Sequence, residues 1–370
     1  LKIGAPTRRL DRVWQLEINE ALGVDHAIAN LAGGTDLSRP GRGLGLTFSR
    51  SYGAGMHQRL RKGILGYGWS DNISVSCELQ ENGERFVVNS GNGSSYAFSK
   101  VTGAWRPDDA HDKTKFTETD SEWILTTQDG TVITLSKSLK HIISVRDNMG
   151  NGVDFTYGNN GRVAKVSHTD GQWIAFTYAN DLLVSAIDDQ GHKTTYAYDG
   201  ELLREVTAFN GRKVRYVYEE NKDSFNRRAL IQIVMPDGQT KDFTYDDCGR
   251  VATISRNGLR LASEIVRGEL GSYSVVSPDG GVTEFVIGAN GETIATINPL
   301  GQKIERVYSQ DMLLESIVLP SGRRSKICYD ANGHMVKSID AAGIETTFSY
   351  TEDYGKLCQV NDARQNMIVY

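Results

Sequence analysis

The chain has 370 residues, with 41 basic and 46 acidic side chains for a formal net charge of −5, and 39 glycines against only 7 prolines. Its 39% apolar share supports a core and argues against intrinsic disorder, and no apolar run nears the roughly 18 residues a membrane helix needs. Basic residues come in small, scattered clusters (Arg59, Arg61 and Lys62; Arg227 and Arg228; Arg323, Arg324 and Lys326), so no broad positive face is expected and nucleic acid is not an expected partner.

The sequence starts at Leu1 rather than Met and is expected to be a piece of a longer protein, so the lack of a signal peptide is uninformative about secretion. Residues 1–22 form an N-terminal segment of uncertain structure, in which Leu10, Val13, Trp14, Ile18, Ala21 and Leu22 would share one helical face. Residues 23–149 read as a β-rich opening module. Strands are expected at Leu44–Tyr52, Asn72–Leu79, Arg85–Val88, Tyr96–Ser99, Trp123–Thr127 and Thr131–Ser136, with a polar loop from Arg106 to Lys115 breaking the series. Gly41-Arg-Gly43-Leu-Gly45 lacks the spacing and following helix of a phosphate cradle and reads as a tight approach to a strand.

Residues 150–370 are repetitive. A glycine is followed seven residues later by a tyrosine at Gly150 and Tyr157, Gly171 and Tyr178, Gly191 and Tyr198, Gly211 and Tyr218, Gly238 and Tyr245, Gly301 and Tyr308, Gly322 and Tyr329, and Gly343 and Tyr350. Ile287 takes the tyrosine's place after Gly280, and Ala363 to Tyr370 keeps the spacing without the glycine. Successive glycines are 21, 20, 20, 27, 42, 21, 21 and 21 residues apart. The 42 reads as two units, one degraded around Gly258 to Ile265, and the 27 as one unit with a polar insertion, Glu219 to Arg228.

Positions three, five and seven after the glycine share one face of an extended strand. They read Val153, Phe155, Tyr157; Ile174, Phe176, Tyr178; Val214, Tyr216, Tyr218, with more polar residues between them. One face is therefore buried and the other wet. Lys241, Arg306 and Ser325 interrupt the apolar register, and their units should pack less well. After the tyrosine comes a polar Asn/Asp/Gly turn, then an apolar pair three apart: Val163 and Val166, Val184 and Ile187, Val251 and Ile254, Ile294 and Ile297, Leu314 and Ile317, Val336 and Ile339. An odd spacing points the two to opposite faces unless a bulge re-aims one of them. A second turn, such as Pro236-Asp-Gly238 or Pro320-Ser-Gly322, closes each unit. The unit is a β-hairpin, and ten of them make about twenty antiparallel strands, more than an open twisted sheet usually holds without curling. No helical period is present to cover the apolar face, so the sheet must wrap over its own hollow or over another part of the chain.

With Tyr198-Asp199, Tyr245-Asp246 and Tyr329-Asp330 as literal pairs, this period resembles the tyrosine-aspartate (YD) repeat of the Rhs family, which includes insecticidal toxin-complex C components and the teneurins. Asp36-Leu-Ser-Arg-Pro-Gly-Arg-Gly-Leu-Gly-Leu-Thr-Phe-Ser-Arg-Ser-Tyr52 and Gly63-Ile-Leu-Gly-Tyr-Gly-Trp-Ser70 are similar to the segment that opens the repeats in bacterial Rhs and polymorphic-toxin proteins, and Val24-Asp-His-Ala-Ile-Ala-Asn-Leu31 fits it less closely. The resemblance implies an all-β fold, a long antiparallel hairpin ribbon curling into a partial hollow shell. It implies a non-catalytic segment that encloses a C-terminal toxin domain until delivery by a bacterial secretion system, with teneurin-like adhesion or carbohydrate binding at a cell surface as the alternative. Expected partners are that toxin domain, the remaining shell repeats, secretion-apparatus proteins and, on the alternative, glycans. Self-cleavage and toxin activity would lie downstream, since the chain ends at Tyr370 inside a repeat.

No catalytic, cofactor or metal residues are expected. His26, His57, His111, His141, His168, His192 and His334 show no HxxxH or HExxH spacing and read as surface or hairpin-face residues. Asp108, Asp109, His111 and Asp112 lack the alternating oxygen ligands and closing glutamate of a calcium loop. Cys77, Cys248, Cys328 and Cys358 form no CxxC and read as small buried thiols, with one disulfide as the alternative. Ser70 and Ser94 have no GxSxG context, and the carboxylates of the polar faces single out no glycosidase pair. The tyrosines read as cross-strand core rather than a sugar platform. Asn72-Ile-Ser74 and Asn92-Gly-Ser94 are formal glycosylation triplets, relevant only to a eukaryotic secretory source.

Overall fold

The computed structural model describes residues 30–80, 83–91, 95–108, 112–127, 130–221, 224–258, 263–268, 272–289, 292–310, 312–352, 355–362 and 367–369. The expectations for residues 1–22, for most of Val24–Leu31, and for His26, Asn92, Ser94, Asp109, His111, Ala363 and Tyr370 lie outside them. The chain divides into two compact units, Leu1–Ala262 and Ser263–Tyr370. Both are built almost wholly of antiparallel strands.

In the first unit, the hairpins follow one local recipe. At Gly171 the amide donates to the His168 carbonyl, while the His168 amide donates to the Gln172 carbonyl, and Gly171 has φ +99°. This left-handed position lets a tight turn match the twist of its two strands, and a side chain there would be strained. At the other end of the Trp173–Ala179 and Leu182–Asp188 hairpin, Tyr178 faces Leu183 and Thr177 faces Ser185, so Val184 is an extra, bulged residue. The bulge answers the odd spacing, because it returns the strand to the same face after three residues. Leu183 and Ala186 are both fully buried.

The buried pair here is thus Leu183 and Ala186 rather than Val184 and Ile187. The same one-residue correction holds in the second unit, where Thr293 faces Ile287 and leaves Ile294 as the bulge, and where Met335 faces Tyr329 and leaves Val336. The pair at Val163 and Val166 is in the expected register and buried. A period-two pattern cannot distinguish the bulged residue from its neighbour when both are apolar.

Strands Lys115–Glu118 through Val251–Arg256 of the first unit each pair with the next in sequence. A four-stranded meander, Ser76–Gln80 to Ala104–Pro107, joins this ladder where Ser76 pairs His141. The stretch read as a polar loop from Arg106 to Lys115 is shorter in the structure, because Ala104–Pro107 and Lys115–Glu118 are strands. Trp105 and Phe116 stack at 4.8 Å, and Phe86 packs on Phe116 at 5.0 Å and Trp123 at 4.7 Å. Each such aromatic pair contributes about 0.5–1.5 kcal/mol beyond its buried area. These rings close a core that the polar loop residues conceal in the sequence.

The second unit is a meander of strands from Ser263–Arg267 to Met367–Val369. Tyr273, Val275 and Phe285 form a small buried cluster with Ile265 and Ile287 packed against it. Beyond it the inward register, including Ile304, Tyr308, Ile327, Tyr329, Phe348 and Tyr350, is half-buried. Arg306, which interrupts that register, is half-buried and donates to the Thr296 hydroxyl at 3.0 Å.

Candidate functional site: the seam between the opening strands and the repeat sheet

The apolar face of the first unit's repeats is covered by strands from upstream. Asn30–Arg39, Leu46–Gly53 and Trp69–Asp71 form a separate three-stranded antiparallel sheet. Alternation along Leu46–Gly53 sends Phe48, Arg50 and Tyr52 to one side. Phe48 meets Phe176 at 5.0 Å and Tyr196 at 6.3 Å, Tyr52 meets Tyr218 at 5.9 Å, and Trp69 meets Tyr216 at 4.8 Å. Of the two coverings expected, another part of the chain is the one found in this unit.

A buried ion pair sits in the middle of the seam. Arg50 Nε donates to Asp36 Oδ2 at 2.8 Å, Tyr196 donates to the same oxygen at 2.8 Å, and Arg50 Nη1 donates to the Tyr216 hydroxyl at 2.7 Å. The guanidinium also lies over the Trp69 ring at 4.9 Å. Burial opposes the Arg50 charge, but the Asp36 carboxylate with the Tyr216 and Tyr196 hydroxyls more than offsets it and raises the pKa above its ordinary value. Burial likewise drives the Tyr196 pKa well up, so its hydroxyl stays a donor. Nearby, Trp69 Nε1 donates to the Tyr218 hydroxyl at 2.9 Å.

Two further contacts pin the seam. The short helix Met56–Arg59 inserts the buried Arg59 over the Tyr245 ring at 4.9 Å, and its guanidinium donates to the Gly249 carbonyl. The insertion Glu219–Arg228, polar and without assigned purpose in the sequence, reaches back to the opening segment. The Arg228 guanidinium lies 3.5 Å from the Tyr67 ring centroid, and its carbonyl accepts from the Tyr52 hydroxyl at 2.5 Å.

Along the turns, residues 39–43 leave the strand Asn30–Arg39 and bend over the repeat hairpins. Arg39 is bidentate to Asp189 at 2.9 and 3.2 Å. The Arg42 amide and Nε donate to Asp170 at 2.8 and 2.9 Å. A Cβ on Gly41 would lie 2.6 Å from the His168 ring, and one on Gly43 would lie 2.0 Å from Asp147 Oδ2. The glycines predicted to tighten a strand approach therefore let the backbone lie directly on the repeat turns.

The repeat tyrosines have one shared use. Tyr157, Tyr178, Tyr198, Tyr218, Tyr245, Tyr308, Tyr329 and Tyr350 each donate to a carbonyl 15 residues upstream: Ile142, Val163, Leu183, Leu203, Leu230, Thr293, Leu314 and Met335. Each acceptor sits beside the bulge of the preceding hairpin. The repeat glycines Gly150, Gly171, Gly191, Gly211, Gly238, Gly301, Gly322 and Gly343 all have positive φ and occupy the turns.

His168 stands on a hairpin strand, Val163–His168, and is buried there. The cysteines fall differently from the sequence reading. All four cysteines are free thiols, and only Cys77 is buried: Cys248 and Cys328 are exposed and Cys358 is intermediate. Burial pushes the Cys77 thiol up to about 12. Asn72 is buried, with its side chain bonded to Ser49 and Thr47, so that triplet is closed to glycosylation. Among the described residues no group of three His, Cys, Asp or Glu could hold a metal ion, and no helix is long and apolar enough to cross a membrane. An open groove of about 560 Å³ lies between the turns at 210–213 and 234–238, and its Lys213 and Arg215 are paired to Glu205.

Comparison with known proteins adds three similarities. A family described as "Domain of unknown function (DUF6531)" matches residues 30–98, the stretch that begins with the opening strands. A curated protein of Bacillus subtilis subsp. natto, "tRNA(Glu)-specific nuclease WapA", is 27% identical over an alignment of 276 residues that covers 62% of this chain and 11% of that protein. Crystal structures of TcdB2-TccC3 resemble the chain at a TM-score of 0.44: one without its hypervariable C-terminal region at 10% identity over 87% of this chain and 21% of that one, and another at 9% over 88% and 22%. The chain thus spans about a tenth of the curated relative and about a fifth of those structures.

Proposed function

We propose that this chain is a non-catalytic wall segment of an Rhs-type container, whose mechanism is to enclose and sequester a C-terminal toxin domain until delivery. The observation that supports this most directly is the two-faced ribbon itself. Its outward face is polar, its inward register is apolar, and in the second unit that register remains half-buried from Ile304 to Tyr350. A sheet with one apolar face needs something against it. The curated relative's name is that of a nuclease, and this chain spans 11% of it, in keeping with a catalytic part that lies elsewhere. On this reading the partners are the enclosed domain, further shell repeats and secretion-apparatus proteins, and the protein is secreted or delivered. The adhesive, glycan-binding alternative is less favoured, because the tyrosine hydroxyls that would meet a sugar are bonded to backbone carbonyls.

Limited proteolysis and electron microscopy of the full-length protein test the proposal. A closed wall with a protease-protected domain inside is the expected result. A solid particle, or a wall with its C-terminal domain outside and cleavable, overturns it.

A further inference from the structure

Residues 39–43 show how the repeat turns of the first unit hold a piece of chain. Arg39 reaches Asp189 and Arg42 reaches Asp170, so guanidiniums three residues apart grip carboxylates on successive turns. Successive turns stand two strand widths apart, about 9–10 Å, a step that three residues of chain can span. From Asp189 this segment runs toward Asp147, beside Gly43, and the turns on the other side of Asp189 are built differently. Two places before the repeat glycine, Asp189 gives way to Phe209 and Pro236, and three places before it, Asp188 gives way to Ala208 and Met235. One place after the glycine stands Arg212. The groove of about 560 Å³ lies between these two turns, a volume within the range of ligand sites. Its cations are Arg212, Lys213 and Arg215. Lys213 and Arg215 share Glu205, and the Asp237 carboxylate accepts from the Gln239 amide. Among the described residues no carboxylate pairs with the exposed Arg212 guanidinium. Three cations against Glu205 and Asp237 leave one positive charge in excess, on a chain whose net charge is −5. The other wall of the groove is apolar, with Met235 43% exposed beside Pro236.

We propose that this groove docks an acidic peptide segment of a partner protein, which lies over the turns at 210–213 and 234–238 as residues 39–43 lie over their neighbours, with the charges exchanged. Arg212 takes a carboxylate in two parallel N–H···O bonds, and Met235 with Pro236 takes an apolar side chain three residues away. The same edge of turns already seats a segment of polypeptide, and one end of the groove is apolar, which favours a peptide over a polyanion. A nucleic acid needs several phosphate contacts to bind, and here a single guanidinium is unpaired. The inference stands apart from the container reading, because it concerns the turns and not the apolar face of the sheet.

Isothermal titration of the whole chain with the peptide acetyl-Leu-Ser-Ser-Glu-Ser-Ser-Leu-amide tests this, since the peptide carries acidic and apolar groups three apart in both directions. It should bind about tenfold or more tighter than the analogue with lysine in place of glutamate. Binding should weaken about tenfold or more in Arg212→Glu and about threefold in Met235→Ser, two exposed positions whose variants should keep the native urea midpoint. Should Arg212→Glu fail to fold, Arg212→Gln carries the same test. Arg324→Glu, which reverses an exposed arginine of the second unit, should leave the affinity within about twofold. Absence of binding, equal affinity for the acidic and lysine peptides, undiminished binding in the Arg212 variant, or the same loss in Arg324→Glu overturns the proposal. So does a sulfated oligosaccharide that displaces the peptide and depends on Arg212 but not on Met235, because the groove is then a polyanion site.

Discussion

The Tyr198 hydroxyl donates to the Leu183 carbonyl at 2.7 Å, 15 residues upstream and beside the bulge of the preceding hairpin. A bulge leaves one backbone residue out of the ladder, and a phenol reaching from the next hairpin supplies a donor there. The tyrosine therefore does two things with one side chain. Its ring fills the apolar register, and its hydroxyl ties one hairpin to the next.

Removing the hydroxyl should show this. Tyr198→Phe keeps the ring and leaves the carbonyl with one partner fewer, so a loss of about 0.5–1.5 kcal/mol is expected. Tyr329→Phe should cost less, because Tyr329 is less buried and water can replace the lost donor. Urea unfolding of the two variants checks the order, and an equal or reversed effect would count against the tie.

The Arg50 and Asp36 pair should behave as a buried ion pair. Asp36→Asn or Arg50→Met alone leaves the remaining partner uncompensated among Tyr196, Tyr216 and Trp69, at about 3–5 kcal/mol. The double variant Asp36→Leu, Arg50→Met should recover a large part of that loss. A double-mutant cycle by denaturant titration measures it, and simple additivity would contradict the coupling.

Close backbone approach makes Gly41 and Gly43 intolerant of a side chain. Gly41→Ala drives a Cβ into the buried His168 ring, with about 1–3 kcal/mol of overpacking expected. Gly43→Ala should be worse, because its φ is +70° and Asp147 stands in the way. Thermal unfolding of both variants is the check, with Gly103→Ala as a comparison for positive φ in open space.

Acid should weaken the hairpin turns. Burial works against the charges of Asp188 and Asp246, but hydrogen bonds from His192 in one case and from the Arg250 amide and side chain in the other outweigh it, holding both carboxyls below their usual range. A folded pKa below the unfolded one gives stability that is present above about pH 4 and is lost as pH falls through the folded value. Asp71 runs the other way, since burial raises its pKa against bonds from Ser74 and Ile73, so its protonation favours the fold. Urea midpoints from pH 5 to 2.5 should fall, and Asp188→Asn should flatten part of the slope.

Thiol chemistry separates the cysteines. Exposed Cys248 and Cys328 should react quickly with an aromatic disulfide reagent at pH 8, Cys358 more slowly, and Cys77 only on unfolding, because the thiolate is the reactive form and burial suppresses it. Fast labelling of Cys77 in the native protein would contradict the buried placement.

The all-β ribbon was legible in the sequence because its causes are local. Gly171 to Tyr178 carries its own turn and its own alternation, and copies of that unit confirm one another. The bulged residue was not legible where two apolar neighbours competed, as at Leu183 and Val184. Nor was the use of the insertion Glu219–Arg228, whose contacts with Tyr52 and Tyr67 join positions more than 150 residues apart.

What the sequence alone determined is therefore the hairpin, its period and which face is apolar, since these depend on steric limits at glycine and on side chains two residues apart. Only the tertiary structure decided what lies against that face in the first unit. Asp36, Arg50, Trp69, Tyr196 and Tyr216 meet because two sheets pack, and burial of charge is stable only when each partner arrives together. No local pattern encodes such a meeting, because each residue by itself reads as an ordinary member of its own strand.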